Sequence, residues 1–179
     1  AFWLQQTETT NAQYARCVAA DACDPPDNDR WDDPDYANHP VTDITWPQAT
    51  TYAAWVGGRL PTEAEWEKAC RAGDDRAYPW GDESPTDRLS NYNNNVGDTT
   101  PVGSYPDGAT PLGLVDLSGN VWEWVSTLDA PYPYDASDGR EDQKAGGKRI
   151  ARGGSSYYTQ YQLRCAARTG FSPATANQQ

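Results

Sequence analysis

The stretch GLVDLSGNVWEWV, residues 113–125, sets two carboxylates and an Asn among two Gly and two Trp, and no other part of the chain constrains the fold as much. Val121, Glu123 and Val125 alternate with Trp122 and Trp124, a period of two that reads as a strand with bulky or charged groups on both faces. One face has to bury indole. If the other also turns inward, Glu123 needs a compensating cation, because an ionised carboxylate buried without a partner is very costly. Asp116 lies seven residues upstream, and the Ser118-Gly119-Asn120 turn between them presents backbone carbonyls to a common point. Side-chain oxygens plus turn carbonyls suit a hard cation such as calcium, which takes about six to eight oxygens at roughly 2.3–2.6 Å. The alternative is a polar turn leading into an edge strand with Glu123 in water, and spacing alone leaves both readings open.

Aromatic residues have to supply the core that such a segment joins: there are eight Trp and eleven Tyr, no Met, and few aliphatic runs. Fourteen Pro and fifteen Gly point to a loop-rich chain rather than a helical bundle. At 179 residues a single domain, 1–179, is the simplest organisation. The formal charge of −12 argues against a nucleic-acid partner, since phosphate neutralisation needs a basic face. No apolar run approaches the roughly 18 residues of a membrane span. The chain opens at Ala1 without an initiator Met or leader, which points to a fragment or a processed chain.

Four cysteines make two disulfides the expectation: Cys17 with Cys23 closing a short loop, Cys70 with Cys165 stapling the two halves. That leans to an exported or cell-surface location, with four reduced thiols in the cytosol the alternative if the chain belongs to an intracellular sensor. Zinc is disfavoured, because no CxxC is present and the single His, His39, sits in a loop before Pro40.

Thr10 caps a first helical stretch, and Thr45 with Pro47 opens a second whose inner face carries Tyr52, Ala53 and Val56. In residues 62–73, Thr62 and Glu65 form a capping box, Trp66, Ala69 and Cys70 make the buried stripe, and Gly73 ends the helix. Trp55 and Trp66 read as core. Residues 24–35 are an acidic surface loop. Short strands and loops follow, an α+β arrangement with two helices in the core.

The motifs GRLPTEAEWEKACRAG, YPWG, TTPVGSYP, GLVDLSGNVWEWV and ARGGS…RCAARTG, together and in this order over residues 2–173, resemble the formylglycine-generating enzyme, or sulfatase-modifying factor, family. The resemblance implies a C-type lectin-like fold: two helices packed on a twisted antiparallel sheet, with much irregular backbone. It implies a calcium ion held by the side chains of Asp116 and Glu123 and the carbonyls of Gly119 and Val121. A second ion falls to the side chains of Asn91 and Asn94 and the carbonyls of Tyr92 and Val96; the loop is shorter than in the enzyme, which leaves Asn93 or Asp98 as substitutes for Asn94. It also implies the Cys70–Cys165 disulfide, and charge-assisted bonds by which Arg152 and Arg168 anchor loops.

Departures from the family pattern carry the functional expectation. Formylglycine generation requires a cysteine pair after GGS, where copper(I) is bound by thiolates, and Ser156, Tyr157 and Tyr158 stand there instead. The iron-dependent sulfoxide synthases resembling this chain need a His-rich site, and one His does not supply it. The expectation is therefore a domain that is not an enzyme. What remains is a surface in residues 151–179: Ser156, Tyr157, Tyr158, Thr159, Tyr161 and Gln162, with Gly170, Phe171, Ser172, Thr175, Asn177 and Gln178, and Trp122 and Trp124 beneath or beside it. Tyr offers contact area at low entropy cost and Ser adapts its hydrogen bonds, the composition of a binding face for a protein or carbohydrate ligand. The layout also resembles diversity-generating retroelement variable proteins, whose mutagenised positions sit on a lectin-like scaffold. The competing expectations are a fixed sensor domain fused to a kinase or other signalling unit, and an oxidoreductase with another centre. The chain ends at Gln179 without the GFR strand that closes the sheet in this family, so that strand is expected to be missing or to pair differently.

Overall fold

A computed structural model of the protein describes residues 1–176. Helices α1 (Asn11–Ala19), α2 (Trp46–Trp55) and α3 (Glu63–Arg71) come first, and strands β1 (Glu123–Leu128), β2 (Arg149–Arg152) and β3 (Thr169–Phe171) follow. The class is α+β, with three α-helices where two were expected. All three begin alike: Thr10, Thr45 and Thr62 each accept from the N–H three residues on, while Gln13, Gln48 and Glu65 reach back to the cap N–H. These capping boxes satisfy donors that a helix cannot satisfy itself. Helix α3 leaves its helical path at Ala72, with φ 51°, one residue before the expected Gly73.

The sheet is antiparallel in the order β1-β2-β3, with Glu123 opposite Arg152, Trp124 opposite Ala151 and Ile150 opposite Gly170. Strand β1 starts at Glu123, so Val121 and Trp122 lie in the turn before it. Both faces of the sheet are covered. Trp66 and Cys70 of α3 pack on Val125 and Ile150 from one side; Trp46 and Ala49 of α2 pack with Trp122, Trp124 and Ala151 on the other. Indoles between two packed layers explain how so few aliphatic residues fill this core. The edge expected to lack its closing strand is occupied by Thr169–Phe171, which pairs with residues 149–151.

Both disulfides form, Cys17–Cys23 within the cluster of Tyr14, Val41 and Tyr52, and Cys70–Cys165 in the core under α3. Two core assignments do not hold: Trp55 is 41% exposed and Val56 54%. Trp55 follows Trp46 by nine residues, half a turn round at 3.6 residues per turn, so it points away from the face that Trp46, Ala49 and Ala53 bury. Among the described residues no helix is long and apolar enough to cross a membrane.

Candidate functional site

The turn from Asp116 to Glu123 folds inward. Asp116, Gly119 and Asn120 all take positive φ (64°, 86° and 60°), and no side chain fits at Gly119: an added Cβ would lie 2.2 Å from Ser90 Oγ and 2.3 Å from the Asn91 carbonyl oxygen. Glu123 accepts from Trp66 Nε1 at 2.9 Å, and Asp116 accepts from the Gly103 N–H at 2.7 Å. Burial, with Asp116 adding to it, pushes the Glu123 carboxyl up to about 7, and burial also raises Asp116. Two carboxylates are thus held close together in a low-dielectric region, which is the environment that a bound cation stabilises.

Sequence reasoning missed the third member. Glu8 is buried, accepts from Asn120 Nδ2 at 2.7 Å and from the Val121 N–H at 3.2 Å, and its carboxyl is raised well above the usual range by burial, then by Asp116 and Glu123. Nothing in its local sequence marks it, because its partners are 112 and 113 residues away. Among the described residues no group of three or more His, Cys, Asp or Glu side chains is arranged to hold a metal ion, so a cation here has to draw on amide and carbonyl oxygens as well.

The second expected cation loop adjoins the first. Asn91 is buried, its carbonyl accepts from the Asn120 N–H at 2.9 Å, and its Nδ2 donates to the Asp98 carbonyl at 2.8 Å. Its Oδ1 is buried without a hydrogen-bond partner among the described residues, an unusual cost that an oxygen-seeking ion would remove. Tyr92 is half-buried, whereas Asn93, Asn94 and Val96 are exposed. Asp98, one possible substitute, is engaged elsewhere: it accepts from Arg30 Nη1 at 2.6 Å and from the Tyr36 hydroxyl at 2.8 Å. His39 stays a loop residue, its ring against Tyr36 and its Nδ1 2.8 Å from Thr99 Oγ1.

The Tyr-rich segments separate into pinned and free residues. Ser156 is 1% exposed and so is no surface residue; its N–H donates to the Asn120 carbonyl, which draws it under the fold. Tyr158 and Phe171 turn inward and meet the Trp122 ring edge-on at centroid distances of 5.4 Å and 6.1 Å, joining the two segments through one indole. Gly170 lies beneath the Asp129 side chain, whose carboxylate would sit 2.1 Å from an added Cβ. Gln162 and Thr175 are half-buried; Tyr157, Thr159, Gln160, Tyr161 and Ser172 stand exposed. Asn177 and Gln178 lie outside the described residues. Arg152 and Arg168 both anchor loops, on Glu63 and Glu67 and on the Ala167 and Ala130 carbonyls.

Residues 1–179, the whole chain, match the family described as the sulfatase-modifying factor enzyme 1-like domain. The chain belongs to this family. Sulfatase-modifying factor relatives include a hercynine oxygenase of Mycobacterium tuberculosis, 46% identical over 54% of this chain and 24% of that protein. A formylglycine-generating enzyme of Streptomyces coelicolor is 40% identical over 78% of this chain and 50% of its own length. A serine/threonine-protein kinase, pkn1, of Chlamydia caviae is 41% identical over 81% of this chain and 24% of its own length. The chain thus spans about a quarter of the hercynine oxygenase and kinase relatives. Two solved structures share the fold: PvdO from Pseudomonas aeruginosa, with TM-score 0.71, 22% identity and coverage of 96% of this chain and 75% of that one, and Treponema denticola variable protein 1, with TM-score 0.69, 20% identity and coverage of 94% and 78%. These relatives overturn the expectation that the domain is not an enzyme, because several are named for catalytic activities. The error was to let two missing ligand sets, the cysteine pair for copper and the His-rich site for iron, stand for catalysis in general.

Proposed function

We propose that this domain recognises a macromolecular ligand, protein or carbohydrate, on the face formed by Tyr157, Thr159, Gln160 and Tyr161, over a scaffold held by calcium. One observation carries the reading: these exposed side chains, Tyr157 at 50% and Tyr161 at 61%, stand on a segment whose flanks Ser155, Ser156, Leu163 and Cys165 are buried to within 1%. A rigid mount lets large aromatic rings bind at a low ordering cost. Arg164 extends the face, its guanidinium 5.5 Å from the Tyr161 ring centroid. Recognition of this kind serves an enzyme's substrate as well as a receptor's partner. Peptide and glycan libraries selected on the chain, with counter-selection on a Tyr157→Ala/Thr159→Ala/Tyr161→Ala variant, test it. Ligands should bind the variant at least about ten-fold more weakly, while stability stays within about 0.5 kcal/mol because the positions are exposed. Ligands that bind both forms equally would sink the proposal. Sequencing the locus across a population separates a retroelement-diversified face, with substitutions gathered at 157, 159 and 161, from a fixed one.

Calcium is proposed at Asp116, Glu123 and the Gly119 and Val121 carbonyls, and at Asn91 with the Tyr92 and Val96 carbonyls and Asn94. The carboxylates and the unpartnered Asn91 Oδ1 support it. In chelator the raised Glu123 carboxyl, about 7 against an ordinary 4.5, means the folded state binds more protons than the unfolded between those values. Stability should then fall as pH climbs from 5 to 8, by up to about 3 kcal/mol. Saturating calcium should flatten that fall, and Glu123→Gln should remove the Glu123 share of the slope and most of the calcium effect, the raised Glu8 and Asp116 carboxyls keeping the remainder. Identical melting curves in calcium and chelator at pH 8 would count against the ion.

A second reading, a sensor domain within a longer signalling protein, is favoured by the kinase relative that matches 81% of this chain. Ligand-dependent phosphorylation by the intact protein is its measurement. The two disulfides support an exported or cell-surface location.

A further inference from the structure

A cavity of about 600 Å³ lies between the N-terminal residues 1–5, residues 40–44, α2 and the Trp122–Trp124 turn into β1. Its size is that of a site for a small organic molecule. Tyr14, Tyr52, Trp122 and Trp124 are in its wall, and Glu8 lies among them. The charge on this wall is one-sided. Glu8, Asp43, Glu65 and Glu123 line it against a single arginine, Arg59, whose guanidinium is already spent on both oxygens of Glu65 at 2.6 Å and 2.7 Å. Glu8 is 7% exposed, each of its oxygens receives one neutral donor, and no Lys or Arg among the described residues pairs with it.

A carboxylate buried in apolar surroundings is stabilised by a cation that comes to it, and aromatic rings hold organic cations while apolar walls take their hydrocarbon part. We propose that this cavity binds a small organic ammonium compound, its charged head on Glu8 and its apolar body between α2 and the Trp122 and Trp124 indoles. The site is separate from the Tyr157–Tyr161 face but adjoins the proposed calcium turn, since Glu8 accepts from the Val121 N–H and Glu123 also lines the cavity, so the probes are compared with and without calcium.

Three probes of one shape test it: hexylammonium, hexanol and hexanoate, titrated by tryptophan fluorescence and calorimetry first in chelator and then in saturating calcium. Hexylammonium should bind at least about ten-fold tighter than hexanol, with hexanoate weakest. Glu8→Gln should erase the ammonium advantage and leave hexanol binding unchanged. Ala53→Phe, which fills the cavity from α2 without touching the Glu8 hydrogen bonds, should abolish binding of all three. If Glu8→Gln does not fold, the ranking of the probes on the unaltered chain decides. Equal affinity for hexylammonium and hexanol overturns the proposal. So does binding of none of the probes, an advantage that survives Glu8→Gln, or one that disappears when calcium is added, which would assign the preference to the Asp116 and Glu123 carboxylates.

Discussion

Arg152→Met lowers stability by about 3–5 kcal/mol, the cost of stranding buried charge when one partner of an ion network is removed. The Arg152 side chain is wholly buried, with Nη2 on the Glu67 carboxylate, Nη1 on the Ala167 carbonyl at 2.6 Å, and its guanidinium 5.2 Å from the Trp66 ring centroid. Methionine fills much of the space but leaves Glu67 without its inner partner and Glu63, itself 1% exposed, with Arg168 as its remaining cation. Arg152→Lys keeps the charge and loses the planar two-armed geometry, so it should fall between. Adding Glu67→Gln to Arg152→Met should recover part of the loss. Urea denaturation reads all three, and a loss under about 1 kcal/mol for Arg152→Met would refute the anchoring role.

Replacing Cys70 and Cys165 together by Ser should cost about 4–5 kcal/mol. The bond spans 95 residues, and chain-entropy arguments assign nearly 5 kcal/mol to closing so long a loop. Both cysteines are fully buried beside Trp66, Val125 and Ile150, so the serine hydroxyls add a desolvation cost. The Cys17–Cys23 bond spans 6 residues, and its loss should cost roughly 2 kcal/mol by the same relation. Melting temperatures of the two double-serine chains test the ordering, and a larger loss at Cys17–Cys23 would show that loop closure is not what sets these stabilities.

Local chemistry was readable and distant chemistry was not. Thr10, Thr45 and Thr62 announce helix starts because capping is settled within four residues, and Trp66, Ala69 and Cys70 declare a face because a helix repeats every 3.6. The inward turn at Asp116 to Glu123 was only half legible: acids placed between indoles pointed to it, but spacing alone left an edge strand with Glu123 in water equally open. Glu8 was invisible: it is buried by a turn more than a hundred residues later. Ser156 misled because its composition suits a surface, yet its backbone is tied to Asn120 and Asn94. Trp55 misled in the opposite sense, an indole assigned to the interior by hydrophobicity when helical phase carries it outward.

Trp122 is the floor of the segment above it. Its ring holds Tyr158 and Phe171 by their edges and forms part of the cavity wall on its own account, so a change at either of those neighbours disturbs the interior as much as the exterior. Tyr157, Thr159 and Tyr161 never reach that indole in any ring contact described. Constraint therefore falls on Tyr158 and Phe171 while Tyr157, Thr159, Gln160 and Tyr161 stand outward, and a lineage that altered what this domain greets would do so at those four positions while the rings beneath kept the floor in place.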